Sequence, residues 1–162
     1  MQTTKVRNHL LFIILFSLCC LSFTAYASTR IGFGYGAAQA YKKSTSQANK
    51  QSELEFRLSL EHEFSKQWSI EATNQINTAF DLQGIYGKYR FSPKQASFYA
   101  KLGPIRYHRT HYSGNSFLGA VGWQYIGENN WGFAAEAYFS EAKNKDLIGI
   151  TLSISYGFDW FN

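Results

Sequence analysis

Of 162 residues only 2 are cysteines, Cys19 and Cys20. Both fall in an N-terminal stretch that reads as a removable leader, so the remaining chain has no thiol and no disulfide framework. The residues before them, Phe16-Ser17-Leu18, lack the small side chains of a lipoprotein signal, which leaves both cysteines as apolar filler. No apolar run is long enough for a membrane helix. The longest, Leu10 to Phe23, has 14 residues, whereas a helical span takes about 20. Charge of one sign is also scarce. Without Lys5 and Arg7 there are 14 basic and 11 acidic side chains, about +3. That is too little for a nucleic-acid partner, and no basic stripe interleaved with aromatics marks a binding face.

The leader itself is well formed. Lys5 and Arg7 make a basic n-region, Leu10 to Phe23 the apolar h-region, and Ala25-Tyr26-Ala27 fits the small-x-small cleavage rule, with Ser28 as the new terminus. Residues 1–27 are therefore expected to be a cleaved signal peptide, the alternative being an uncleaved N-terminal anchor, and residues 28–162 form one domain.

What the domain has in abundance is aromatics, 18% of residues, and glycine, 13 in all, against 2 prolines. The mean hydropathy is −0.28, a soluble-looking average. A polar average with many aromatics and glycines results when apolar and polar residues alternate, one facing lipid and the next a polar lumen.

Alternation of period two recurs along the whole domain, with no helical stripe of comparable length. The first segment, about Arg30 to Tyr41, sets Ile31, Phe33, Tyr35 and Ala37 against Gly32, Gly34 and Gly36. The second, Ser52 to Phe64, sets Leu54, Phe56, Leu58, Leu60 and Phe64 against Glu53, Glu55, Arg57, Ser59, Glu61 and Glu63, with His62 the lone break. As a helix this pattern would scatter its apolar groups; as a strand it yields one oily and one charged face. Further strands are expected at Trp68 to Thr78, Leu82 to Phe91, Ser97 to Gly103, Ser116 to Ile126 and Trp131 to Ser140. A last strand follows the loop Glu141 to Asp146 and carries Ile148 to Phe158. Polar loops are expected at Lys42 to Gln51 and Pro104 to Asn115. Pro93 falls in a turn, outside any ladder. The fold expected is all-β: an eight-stranded antiparallel up-and-down transmembrane barrel, its short turns facing the periplasm and its longer loops outside.

Aromatics flank the short turns. Phe64 and Trp68 flank the first, Phe91 and Phe98 the second, Tyr125 and Trp131 the third, and Phe158 and Trp160 close the last strand at the same level. A soluble sandwich would bury such residues centrally; here they read as an interfacial girdle.

Tyr86-Gly87-Lys88-Tyr89-Arg90-Phe91, Phe98-Tyr99-Ala100-Lys101-Leu102-Gly103, Gly119-Ala120-Val121-Gly122-Trp123-Gln124-Tyr125 and the closing Ser155-Tyr156-Gly157-Phe158 together resemble the OmpA-type outer membrane β-barrel family, which includes the OmpA transmembrane domain and the OmpX/Ail-like small barrels. The resemblance covers essentially all of residues 28–162. It implies a Gram-negative outer membrane location, a charged interior and insertion by the barrel-assembly machinery. One departure is the ending Trp160-Phe161-Asn162, where the family ends on an aromatic residue.

Two constellations bear on function. The predicted lumen holds Glu53, Glu55, Arg57, Glu61, Glu63, Glu71, Lys88, Arg90, Lys101 and Glu136. Buried charges must be paired, and an eight-stranded barrel is barely wide enough for its own side chains. Arg57, Lys88, Arg90 and Lys101 are expected as counter-ions to Glu55, Glu71 and Glu136, making a salt-bridged plug, with an ion path or gate as the alternative.

The second constellation is Arg106-Tyr107-His108-Arg109-Thr110-His111-Tyr112-Ser113. His111 and Ser113 look like the His-x-Ser dyad of the lipid A deacylase family, two residues apart on one strand face. An orienting acid is also needed, and the nearest later one, Glu128, falls in a turn at the opposite end. The other readings are a solvated outer loop, or Arg106, His108, Arg109 and Lys42-Lys43 meeting lipopolysaccharide phosphates. Metal binding by His108 and His111 lacks further ligands. No cofactor is expected. The overall expectation is a monomeric, non-enzymatic membrane scaffold with short surface loops, whose partners are outer membrane lipids and lipopolysaccharide or host surfaces; the alternatives are a lipid A deacylase-like enzyme using His111 and Ser113 and a narrow porin-like channel.

Overall fold

Eight strands hydrogen-bond in chain order and the last closes on the first, all antiparallel. They are β1 (Ser28–Lys42), β2 (Ser52–Glu63), β3 (Trp68–Asn77), β4 (Asp81–Arg90), β5 (Ala96–Arg109), β6 (Tyr112–Ile126), β7 (Trp131–Ala142) and β8 (Lys145–Asp159). This computed structural model describes residues 28–42, 52–77, 81–109, 112–142 and 145–159. The expected signal peptide, residues 43–51, His111, Trp160 and Asn162 lie outside them.

The register sets the barrel's shape. Thr29 pairs with His62, His62 with Ile70, Ile70 with Gly87, Gly87 with Leu102, Leu102 with Gly119, Gly119 with Phe139, Phe139 with Ile148, and Ile148 with Gln39. The circuit leaves β1 at residue 29 and returns at residue 39, a stagger of 10 residues. For eight strands that stagger tilts each strand by about 40°. Each residue then advances about 2.5 Å along the axis, so the 10 residues of β3 or β4 cover about 25 Å, the height of a membrane barrel's apolar band.

Alternation decides what faces out. Phe33, Leu54, Phe56, Ile85, Leu102, Phe117, Val121, Ile150 and Leu152 are all at least 60% exposed. Their partners in the pattern are buried: Glu55, Arg57, Glu71, Gln75, Tyr86, Lys88, Lys101, Glu136 and Thr151. A water-soluble protein would do the reverse. The outside is a belt suited to hydrocarbon and the inside a packed polar core.

The ladders outrun the sequence reading at the end away from the girdle. The segment Pro104 to Asn115, expected as a loop, is mostly strand: β5 continues to Arg109 and β6 begins at Tyr112, paired from Pro104↔Phe117 to Arg109↔Tyr112. Likewise β7 reaches Ala142 and β8 starts at Lys145, consuming most of the expected loop 141–146. The physical reason is that apolar alternation stops where lipid stops, whereas backbone pairing continues in water. Pro104 is accommodated because the β4–β5 ladder passes from Gly84↔Ile105 to Gly87↔Leu102 without pairing the residues between, where proline's missing N–H would otherwise break it. The backbones come so close there that a Cβ on Gly103 would run into the Ile85 carbonyl oxygen.

Inward glycines receive inward tyrosines. Tyr99 pairs with Gly122 and Tyr138 with Gly149, and in each case a Cβ on the glycine would occupy the ring's place. Large rings laid over glycine on the neighbouring strand let a narrow barrel fill its interior.

Candidate functional site

The seven charges expected to form the interior network, Glu55, Arg57, Glu71, Lys88, Arg90, Lys101 and Glu136, are all buried, and strand parity brings Arg30 and Glu61 inward with them. In the middle of the barrel, Arg57 Nη1 lies 2.6 Å from Glu136 Oε1. Lys101 Nζ lies 2.8 Å from Glu136 Oε2 and 3.2 Å from Glu71 Oε2. Tyr99 Oη donates to Glu136 Oε2 at 2.9 Å. With its amide oxygen turned inward, Gln75 accepts from Arg57 Nε at 2.8 Å. The bonds to Glu136 are short, as ionised partners favour, and the Lys101–Glu71 contact is the longer one.

A second cluster sits nearer the girdle. Lys88 Nζ meets Glu61 Oε2 at 2.9 Å, and Ser69 Oγ donates to the other Glu61 oxygen at 2.5 Å. Glu63 bridges Arg30 at 3.0 Å and Arg90 at 2.9 Å. Arg30 also donates from Nη1 to the Asn130 carbonyl at 3.1 Å, tying β1 to the β6–β7 turn. Asn130 takes a φ of 64° there, a left-handed conformation that asparagine tolerates.

Two pairings differ from the sequence expectation. Lys88 and Arg90 face Glu61 and Glu63 rather than Glu55, Glu71 or Glu136. Glu55 is held by two hydroxyls, Tyr138 Oη and Thr151 Oγ1. Arg30, Gln75 and the tyrosines were not anticipated as members of the network. Inward parity marks each of them, but only the register shows whose side chain they meet. The rings also receive cations face-on: Lys88 Nζ is 4.4 Å from the Tyr99 centroid and Lys101 Nζ 4.8 Å from that of Tyr86.

Above the charges lies an apolar layer that the sequence reading missed. Leu82, Ile105, Leu118, Leu147 and Ala38 are buried together, with Tyr86 and Tyr138 beneath them. They come from the halves of β1, β4, β5, β6 and β8 away from the girdle. The signal was present as apolar residues at inward positions, such as Leu82 between Asp81 and Gln83.

The girdle residues stand at the opposite end. Trp68, Phe91, Phe98, Tyr125, Trp131 and Phe158 are between 39% and 67% exposed, and Phe64 is half-buried beside the β2–β3 turn. Tyr89 and Tyr156 join them. Trp68 packs against Tyr89 at 4.8 Å and Tyr89 meets Phe91 edge-to-face at 5.5 Å, while Trp131, Tyr156 and Phe158 form a second edge-to-face run at 5.1 and 5.0 Å.

Of the His111/Ser113 pair, only Ser113 is described. It is exposed and pairs across the hairpin with His108. Glu128 lies in the turn beyond the far end of β6, about 50 Å along the strand from Ser113, so it does not orient a base there.

No family model matches the chain, and no curated protein sequence does. Solved structures do. Ail of Yersinia pestis, crystallised with the heparin analogue sucrose octasulfate, superposes with a TM-score of 0.59 at 15% identity, covering 82% of this chain and 99% of that one. OprG of Pseudomonas aeruginosa gives 0.56 at 11% identity, with 82% and 96% covered. The outer membrane enzyme PagL gives 0.52 at 10%, with 77% and 98% covered. At these identities the similarity is one of fold, that of small outer membrane β-barrels.

Proposed function

We propose that the chain is a non-enzymatic outer membrane protein, a monomeric scaffold with a sealed interior that meets outer membrane lipids and lipopolysaccharide and is inserted by the barrel-assembly machinery. The observation that carries this reading is the interior. Five buried or nearly buried cations (Arg30, Arg57, Lys88, Arg90, Lys101) form ion pairs with Glu61, Glu63, Glu71 and Glu136, and two hydroxyls hold Glu55. An apolar layer then covers the end away from the girdle. A path for ions requires water along the axis, and between the charged clusters the recess is only about 40 Å³, room for a few waters at most. A narrow porin-like channel is therefore the weaker reading.

The test has two arms. The chain should fractionate with outer membranes and migrate faster on gels before boiling than after; recovery in the soluble periplasm would refute the membrane reading. In planar bilayers the folded chain should carry no steady current, and reproducible single-channel steps would replace the scaffold with a channel. The second reading, a lipid A deacylase, draws on the fold shared with PagL and on Ser113. Lipid A mass spectra should be the same with the wild-type chain, with Ser113→Ala and without the gene. A missing acyl chain that depends on Ser113 would establish the enzyme.

A further inference from the structure

The outer wall carries a polar row that the scaffold reading does not use. Asn74 pairs with Gln83, Gln83 with Arg106 and Arg106 with Asn115, so four polar side chains stand side by side across β3 to β6. Strand parity points all four outward; Gln83, Arg106 and Asn115 are exposed and Asn74 partly so. The row starts within the apolar belt on β3 and climbs to its outer rim on β5 and β6, where His108 and Ser113 follow Arg106 and Asn115. On the outward face of β3, Asn74 sits between Ala72 and Ile76, and Ile76, nearer the loop end, is 55% exposed. Polar groups facing hydrocarbon are costly unless something satisfies them. Among the described residues Arg106 has no carboxylate within ion-pair distance, in contrast to Arg30, Arg57 and Arg90 inside. Asp81 stands two residues nearer the rim than Gln83, across from His108.

One ladder step below runs a second outward row, Ile31, Leu60, Ala72, Ile85 and Pro104. Between the two rows the barrel surface is recessed by about 770 Å³, with the backbone of Ser59, Thr73 and Gly84 as its floor. The recess climbs obliquely from β1 to β6, about 24 Å at ~4.8 Å per strand. Its low end is wholly apolar, with Leu58 and Ile31. Its middle has the amides of Asn74 and Gln83, and its high end, toward the outer leaflet, has Arg106 and Asn115. This order of apolar wall, amide donors and cation is the order of a lipid read from tail to ester to phosphate.

We infer that this recess is a lateral binding site for one phosphate-bearing lipid of the outer leaflet, with the phosphate on Arg106, the acyl linkage at Gln83 and Asn74, and a chain lying along Ile85, Ala72 and Leu58. The guanidinium matches a phosphate in charge and donor geometry. The small Ala72 and the side-chain-free Gly84 make the depth. Placing the site in the outer leaflet rests on the membrane reading above.

The test is native mass spectrometry of the folded chain released from a neutral maltoside detergent. Dimyristoyl phosphatidic acid is one probe, and dimyristoylglycerol, with the same chains and no phosphate, is the other. The wild type should retain one phosphatidic acid at least tenfold more strongly than the diacylglycerol. Arg106→Ala should bring the two lipids level. Ala72→Trp, which fills the groove and leaves Arg106 in place, should lower phosphatidic acid retention at least fivefold. Equal retention of both lipids by the wild type, unchanged retention by Arg106→Ala, or indifference to Ala72→Trp each overturns the site. So does a dimer that dissolves on Gln83→Leu, which would make a second copy the occupant. Every variant is checked for faster gel migration before boiling. A chain that never folds in detergent or vesicles sinks the membrane reading, whereas folded variants with unselective binding sink only the lipid site.

Discussion

Glu136→Gln is the sharpest probe of the interior. Glu136 is 4% exposed and accepts from Arg57 at 2.6 Å, Lys101 at 2.8 Å and Tyr99 at 2.9 Å. The glutamine keeps the shape and removes the charge, leaving two buried cations short of an anion. Removing one partner of a buried ion pair costs about 3–5 kcal/mol. Glu71 still faces Lys101 at 3.2 Å and Gln75 still accepts from Arg57, which places the cost at the low end. About 3 kcal/mol is roughly 150-fold in the folding equilibrium. Arg57→Met added to Glu136→Gln removes the stranded cation too, so the double variant should lose less than the sum of the singles by at least about 1 kcal/mol. Urea titration of the chain folded into phospholipid vesicles, followed by tryptophan fluorescence and by gel migration before boiling, reads both quantities. A Glu136→Gln variant within about 0.5 kcal/mol of wild type, or strict additivity in the double variant, would refute the claim that these charges act as one cluster.

Other expectations follow from packing. Gly122→Val and Gly149→Val should each destabilise by about 1–3 kcal/mol, since the added carbons collide with the rings of Tyr99 and Tyr138; the same titration measures it. Gly103→Ala meets backbone rather than a movable side chain, the Ile85 carbonyl, and should lower the fraction of chain that reaches the fast-migrating folded form. Trp131→Ala strips the ring that packs on Tyr156 at 5.1 Å and should cost about 1–2 kcal/mol, seen as a lower urea midpoint; a loss no larger than that of Val121→Ala, in the middle of the belt, would argue against a special role for the girdle.

The fold was legible because its cause is local. Alternation in Leu54 to Leu60 or Ile148 to Phe158 needs only the two-residue period of a strand and a membrane on one side. Turns such as Ser65-Lys66-Gln67 carry their own signal, and aromatics beside them mark the interface. These residues by themselves determined the strand count, the antiparallel order, which face meets lipid and which charges enter the lumen. What they left undetermined depends on register. The same inward glutamates are compatible with several pairings, and it is the stagger of 10 residues that brings Lys88 to Glu61, Arg90 to Glu63 and Arg57 to Glu136. Strand ends past the membrane were misread at Pro104 to Asn115 because hydrophobicity reports lipid contact, not hydrogen bonding. The apolar cap of Leu82, Ile105, Leu118 and Leu147 and the polar row from Asn74 to Asn115 are each assembled from single residues on neighbouring strands. No stretch of chain contains either, because only closure of the barrel places those residues side by side.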